Sequence, residues 1–252
     1  MRLVRTLLEK RSARRKSGQF VVEGPHLVEE AAAAGQVDFV VYAKQSALVP
    51  KLEKVGVTCY KVSNKEFSPL SEVENPQGIL AVARLNPGSL SEIEEKDRAL
   101  IVVAIEVQDP GNLGTIIRSA DAVGATGVIV SRGSVDPYNS KVVRATMGSI
   151  FHLPIIESDD IEVTLGSLRQ NKIAIVAADV KGRQDYFQAD FSRPVAILVG
   201  NEAAGLGDEI VEHSDQVVKI PMPGKAESLN VGVATSLLLY EALRQRNYGR
   251  AN

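Results

Sequence analysis

Three polar stretches in the second half of the chain carry residues suited to holding and aligning a substrate. Residues 109–120, DPGNLGTIIRSA, place Asn112 in a Pro- and Gly-containing bend and Arg118 on the helix that follows. Residues 198–206, LVGNEAAGL, run a buried strand straight into Gly200, Asn201 and Glu202. Residues 220–241, IPMPGKAESLNVGVATSLLLYE, pass from a strand end through a bend to Glu227, Ser228 and Asn230, which open a long apolar helix. Together they offer neutral hydrogen-bonding side chains, glycine backbone that a ligand can approach closely, and one guanidinium fork suited to phosphate. Singly, each has a plain alternative: Asn112 and Ser228 as helix caps, Arg118 as a surface charge, Glu202 as a turn acid.

Common nucleotide and hydrolase sites do not fit these stretches. The glycines near Asn112 do not form G-x-G-x-x-G, and neither G-x-x-x-x-G-K-[ST] nor G-x-S-x-G occurs in the chain. His26, His152 and His213 have no ligand-like spacing with each other or with Cys59, so no metal site is expected.

The elements that must position these residues follow from apolar patterning. In the last helix Leu229, Val233, Leu237 and Tyr240 make one stripe, and Val231, Ala234, Leu238, Leu239 and Leu243 fill most of the remaining circumference. A helix apolar nearly all round has to be buried, in a core or against a second subunit. Upstream, residues 99–107, ALIVVAIEV, read as a strand buried on both faces of a parallel sheet. A helix over 115–123 ended by Gly124, strands at 128–130, 150–155, 173–178, 195–199 and 217–220, and helices near 140–147, 161–170 and 207–212 extend the alternation. Such a pattern predicts a mostly parallel sheet with helices on both faces and ligands beyond the carboxyl ends of its strands.

Before this lies a smaller α/β pattern. A basic helix over residues 1–12, strands near 20–22, 39–42, 58–62 and 78–83, and an Ala-rich helix capped by Gly35 define a first domain at 1–84. Residues 85–98 are polar and acidic, broken by Pro87 and Gly88, and carry a lone Ile93; they read as a linker to a second domain at 99–252.

Composition is that of an ordinary globular protein, with a net charge of −2 over 252 residues. The charge is uneven, because seven basic residues against the single acid Glu9 occupy the first sixteen positions. Arg11, Arg14, Arg15 and Lys16 within that cluster are candidate contacts to an RNA phosphate backbone, with a solvated helix end as the alternative. Cys59, the only cysteine, excludes an intramolecular disulfide and fits a reducing cytosol. With no apolar run of membrane-spanning or signal-peptide length, the expected location is the cytoplasm.

In this order and spacing, N-x-G-x-x-x-R at 112–118, V-G-N-E-x-x-G at 199–205 and I-P-M-x-G-x-x-x-S-L-N-V at 220–231 resemble the three motifs of the SpoU (TrmH) family of RNA ribose 2′-O-methyltransferases, in the SPOUT superfamily. FVVEGPHLVEEA, 20–31, resembles the family's substrate-binding domain. The resemblance implies a SPOUT-type parallel sheet ending in a C-terminal trefoil knot, preceded by a smaller α/β RNA-binding domain, an obligate homodimer, and S-adenosylmethionine bound in the knot. It implies cofactor contacts from Gly200, Ile220 and Leu229, with Ala178 lining the same pocket, beside which the Val199 backbone and the apolar Met222 side chain suit adenosine. It also implies catalytic roles for Asn112, Arg118, Glu202, Ser228 and Asn230.

The arginine is the family's candidate for taking the proton, yet a guanidinium stays protonated and makes a poor base. An electrostatic role suits Arg118 better: it clamps a phosphate beside the target ribose and stabilises the developing alkoxide. By the same resemblance, two-domain members mostly act on large-subunit ribosomal RNA while transfer-RNA members more often lack the first domain, which implies 23S ribosomal RNA rather than transfer RNA as substrate. Family members often carry Ser two residues after the matching Asn, where this chain has Gly232. That departure keeps open a non-catalytic RNA-binding or ribosome-assembly protein on the same fold.

Overall fold

The computed structural model describes residues 1–248 and divides into two compact units. Residues 249–252, placed in the second domain from the sequence, lie outside the described residues.

The first unit comprises Met1–Asn86 with Asp136–His152. Along the chain it contains α1 (Arg2–Glu9), α2 (Arg11–Ser17), β1 (Gln19–Glu23), α3 (Pro25–Ala33), β2 (Val37–Tyr42), α4 (Leu48–Lys54), β3 (Thr58–Lys61), α5 (Asn64–Phe67) and β4 (Ile79–Arg84). The sheet order is β1-β4-β2-β3, with β4 antiparallel to both neighbours and β3 parallel to β2. Alternate residues Val21, Leu80, Val82 and Val41 pack with Val4 and Leu7 of α1 and with Phe67 and Leu70. The expected single basic helix is two, because Lys10 is extended (φ −121°, ψ 113°) and turns the chain back.

The second unit comprises Pro87–Val135 and the chain from Leu153 onward. It contains α6 (Leu90–Glu94), β5 (Leu100–Ala104), α7 (Pro110–Ala122) and β6 (Gly127–Ser131). After α8 (Ser140–Thr146), which belongs to the first unit, come β7 (Ile155–Ser158), α9 (Ile161–Gln170), β8 (Ala174–Ala178), β9 (Gln184–Asp185), β10 (Val195–Val199), α10 (Asp208–Glu212), β11 (Gln216–Lys219) and α11 (Val231–Tyr248). The order is β7-β6-β5-β10-β8-β11-β9, every pair parallel. Strands β5, β6 and β10 are buried at every residue, as their continuous apolar runs require. One face packs Ile101, Val103, Ile175 and Leu198 with Ile93, Leu165 and Leu168. Helices α7 and α11 pack on each other, α7 on β5 and β6, α11 on β10.

Several boundaries differ from the sequence reading, each for a local reason. Helix α7 starts at Pro110 rather than 115, because the Asp109 carboxylate accepts from Asn112 N–H (2.8 Å) and Pro110 fits the first turn. The expected strand at 150–155 is a 3₁₀ turn at Ser149–Phe151 followed by β7, a distinction that apolar periodicity cannot draw. The stretch expected as a linker holds α6, started by a Ser89–Glu92 capping box and anchored by fully buried Ile93. The segment Asp136–His152, expected in the second domain, packs with the first unit, where Phe20 of β1 meets Tyr138 at 5.1 Å and Phe151 at 5.8 Å between ring centroids.

Candidate active site

The three polar stretches follow β5, β10 and β11, so all leave the carboxyl edge of the parallel sheet. The second is the tightest. Asn201 and Gly205 pair their backbones at 3.0 and 2.9 Å, and the Asn201 side-chain oxygen accepts from Ala203 and Ala204 N–H. This fold-back brings the Gly205 carbonyl so close to Gly200 that a Cβ there would lie 2.3 Å from its oxygen. Only glycine fits.

The loop presents two side chains to the chain leaving β5. Asn201 Nδ2 donates to the Glu106 carbonyl (2.9 Å), and Glu202 accepts from Gln108 N–H (3.3 Å), Asp109 N–H (3.2 Å) and Asn112 Nδ2 (2.8 Å). Glu106 itself has φ +52°, a conformation unusual for a side chain of its size. Partial burial pushes the Glu202 carboxyl up, but the hydrogen bonds from Asn112 and from backbone N–H groups outweigh it, and its pKa lies below the usual carboxylate range.

The third stretch joins through Asn112. Its Oδ1 accepts from Asn230 Nδ2 (2.7 Å), while Asn230 Oδ1 accepts from Gly232 N–H (2.9 Å) and Val233 N–H (3.3 Å), capping α11. Glu202, Asn112 and Asn230 thus form one hydrogen-bonded chain across residues 90 and 118 positions apart. The caps are Asp109 for α7 and Asn230 for α11, not Asn112 and Ser228.

Helices α7 and α11 are clamped behind this chain. The Ser119 and Ser236 hydroxyls share a 2.7 Å hydrogen bond, and a Cβ at Gly232 would stand 3.0 Å from Thr115 Cβ and Cγ2. Gly232 therefore marks close helix packing, so a serine there would press on α7. Farther along α11, Arg246 donates to the carbonyls of Phe191 (2.8 Å), Arg98 (2.6 Å), Ala99 (2.9 Å) and Arg193 (2.8 Å). Burial, with Arg98 nearby, lowers its pKa to about 10.

The remaining expected residues fall into three groups. Arg118 is exposed on α7 and Ser228 is exposed before α11; neither side chain has a hydrogen-bond partner among the described residues. Ala178 and Val199 end adjacent strands β8 and β10, Gly200 follows Val199, and half-buried Ile220 and Met222 follow β11; Leu229 is 36% exposed. The basic cluster needs a correction. Arg14 is buried and cannot reach RNA: its Nε and Nη2 donate to Asp136 (2.8 and 2.5 Å), and its Nη1 donates to the Leu7 and Leu8 carbonyls that α1 leaves unsatisfied. Arg11 is half-buried, whereas Arg15 and Lys16 are exposed. Among the described residues no group of three or more His, Cys, Asp and Glu could hold a metal, and no helix is long and apolar enough to cross a membrane.

A parallel α/β sheet whose carboxyl edge gathers glycine-tight backbone, apolar strand ends and a rigid amide chain defines a site for a small ligand beside a polar substrate. Residues 99–240 match the SpoU rRNA Methylase family, and residues 1–81 match the MRM3-like substrate binding domain. The Bacillus subtilis 23S rRNA (guanosine(2553)-2′-O)-methyltransferase RlmP is 34% identical over 233 residues, 92% of each chain. The 23S rRNA (uridine(2479)-2′-O)-methyltransferase of Streptomyces viridochromogenes is 34% identical, covering 97% of this chain and 89% of its own. The SpoU methyltransferase AviRb from that organism, in complex with AdoMet, superposes with a TM-score of 0.92 at 33% identity over 99% of this chain and 98% of its own. The chain belongs to the SpoU rRNA methylase family.

The sequence reading places Asn201 in the second polar stretch and marks Gly232 as a departure from the family pattern, but it assigns neither the loop-bracing role of Asn201, nor the close helix packing at Gly232, nor the cap at Asp109. For Asp109 the signal was present in the Asp-Pro pair that starts a helix.

Proposed function

We propose that the protein transfers a methyl group from S-adenosylmethionine to a ribose 2′-hydroxyl of RNA, with 23S ribosomal RNA as the substrate. The observation that carries this reading is the Glu202–Asn112–Asn230 chain, which draws all three motif loops to one edge of the sheet. The ribosomal substrate is supported by relatives with 23S rRNA names that match over both units.

Ala178, Val199, Gly200, Ile220, Met222 and Leu229 fit the methyl donor. They combine close backbone with aliphatic side chains at the ends of neighbouring strands and carry no charge. When bound, the donor supplies an electrophilic methyl on a positively charged sulfur. Arg118, exposed and unpaired among the described residues, grips the phosphate next to the target ribose and stabilises the developing alkoxide. The hydroxyl proton leaves to that phosphate or to water. The Ser228 hydroxyl orients the ribose, Asn112 and Asn230 hold the loops in register, and Glu202, ionised by its donors, fixes the β5–α7 turn rather than acting as a base. Arg15 and Lys16 add phosphate contacts that position the RNA.

The reading includes a homodimer, a knotted C-terminal segment and a cytoplasmic location. Val233, Leu237 and Tyr240 leave an apolar stripe of α11 exposed at 47%, 38% and 54% in one chain. A second copy covering it would bury the stripe, and by the family resemblance Asn112 and Arg118 would complete the site across that interface. Threading is supported by β10, which enters between β5 and β8 although it follows both in sequence.

The test is Arg118→Ala. Incorporation of labelled methyl into ribosomal RNA should fall at least about 100-fold, the cost of losing one preorganised charge partner, while calorimetric binding of S-adenosylmethionine persists. A fully active variant removes Arg118 from the mechanism.

A further inference from the structure

A cleft of about 350 Å³ opens within the first unit, lined by the Glu23–Gly24 turn, the loop at 73–77 and the end of α8. Pockets for small ligands run from roughly 300 to 1,000 Å³, so this one suits a single planar ring system. Leu27, Val73 and Met147 give it apolar surface. Met147 ends α8 in the left-handed region (φ 52°) and stays 48% exposed, which presents a polarisable thioether suited to lying on a ring.

The polar residues around the cleft divide into those already engaged and those free. Glu23 accepts from the Ser71 hydroxyl (2.5 Å) and Glu72 N–H (3.3 Å), which pins the start of the loop. Glu72 takes the Ser140 hydroxyl and pairs loosely with Arg144 (3.6 Å), which ties the loop to α8. His26 Nε2 contacts the Met147 carbonyl at 3.0 Å and holds the rim. Asn75 and Gln77, in contrast, are exposed and have no hydrogen-bond partner among the described residues. Each amide carries both donors and an acceptor, the complement of a base edge. Arg144, half-buried and weakly paired, has guanidinium N–H groups left for a phosphate.

We propose that this cleft is a subsite for one unpaired nucleobase of the substrate RNA, its edge read by Asn75 and Gln77, its face laid on Met147, and its phosphate met by Arg144. The inference rests on the RNA-methylation reading and deepens it: sequence-specific RNA recognition targets bases splayed out of loops, and this unit would hold one such base of the substrate.

The test uses the full chain and fluorescent single-stranded oligoribonucleotides of A, C, G or U, followed by anisotropy. The wild type is expected to prefer one base. The Asn75→Ala, Gln77→Ala double variant should lose that preference and bind about tenfold more weakly, as expected for losing the amide hydrogen bonds to one base edge. Its melting should be unchanged, since neither side chain holds structure, and its KM for ribosomal RNA should rise with kcat kept. A wild type that binds all four oligonucleotides alike, or a double variant that binds as the wild type does, overturns the subsite even if methyl transfer is intact. A wild type that transfers no methyl while its base preference still depends on Asn75 and Gln77 sinks the enzyme reading instead and leaves the subsite standing.

Discussion

Arg14 and Arg118 stand in regions that ask opposite things of a guanidinium. In the first unit Arg14 is 4% exposed and consumed by Asp136 and by two helix-end carbonyls. At the carboxyl edge of the second unit, Glu202, Asn112 and Asn230 satisfy one another, while Arg118, farther along α7, is exposed with no partner among the described residues. A charge held by structure cannot also hold a substrate. The polar groups that bond each other build a rigid frame, whereas Arg118 and Ser228 remain exposed and unbonded among the described residues.

The sharpest way to separate the two regions is stability. Removing one partner of a buried ion pair leaves the other uncompensated, so Arg14→Ala should lower unfolding free energy by about 3–5 kcal/mol. Arg118→Ala should leave the melting midpoint unchanged while abolishing methyl transfer. Chemical denaturation of both variants checks the contrast, and equal stabilities would break it.

Asn112→Ala is expected to be intermediate. It removes the link between the second and third loops, so activity should fall by about 10–100-fold through misplaced geometry. Stability should change by about 1 kcal/mol, the worth of typical hydrogen bonds. Steady-state kinetics with ribosomal RNA gives the first and melting the second; retained kcat would mean the amide chain positions nothing.

The smallest effect concerns pH. Because the folded pKa of Glu202 is depressed, its contribution to stability is present above the ordinary carboxylate range and is lost as pH falls through the folded value. Glu202→Gln should therefore flatten the acid limb of the stability curve relative to wild type, by less than about 1 kcal/mol because the carboxylate is exposed. Parallel acid limbs for the two proteins would show that the carboxylate does not hold the β5–α7 turn.

Much of the second unit is legible along the chain, since β5, β6 and β10 are uninterrupted apolar runs buried on both faces. The two-residue β9 has no such run and passes unseen. The start of α7 is written in Asp109-Pro110, but periodicity alone places it five residues late. The motif resemblance selects Asn112, Glu202 and Asn230; that they bond one another depends on β10 entering between β5 and β8, a tertiary fact with no local signature. The fate of Arg14 is hidden for the same reason, because its partner Asp136 lies 122 positions away in a segment that periodicity assigns to the other domain. Charge clustering counts cations without showing which are already paired.

The central claim is that the amide-linked edge of the sheet assembles a site for methylating ribose. The protein should be incubated with S-adenosylmethionine carrying a labelled methyl and with unmodified 23S ribosomal RNA, and the RNA then digested to nucleosides for mass analysis. The account predicts a single labelled nucleoside whose added methyl stays with the sugar fragment. A label on the base, or no label with intact RNA binding, would contradict it.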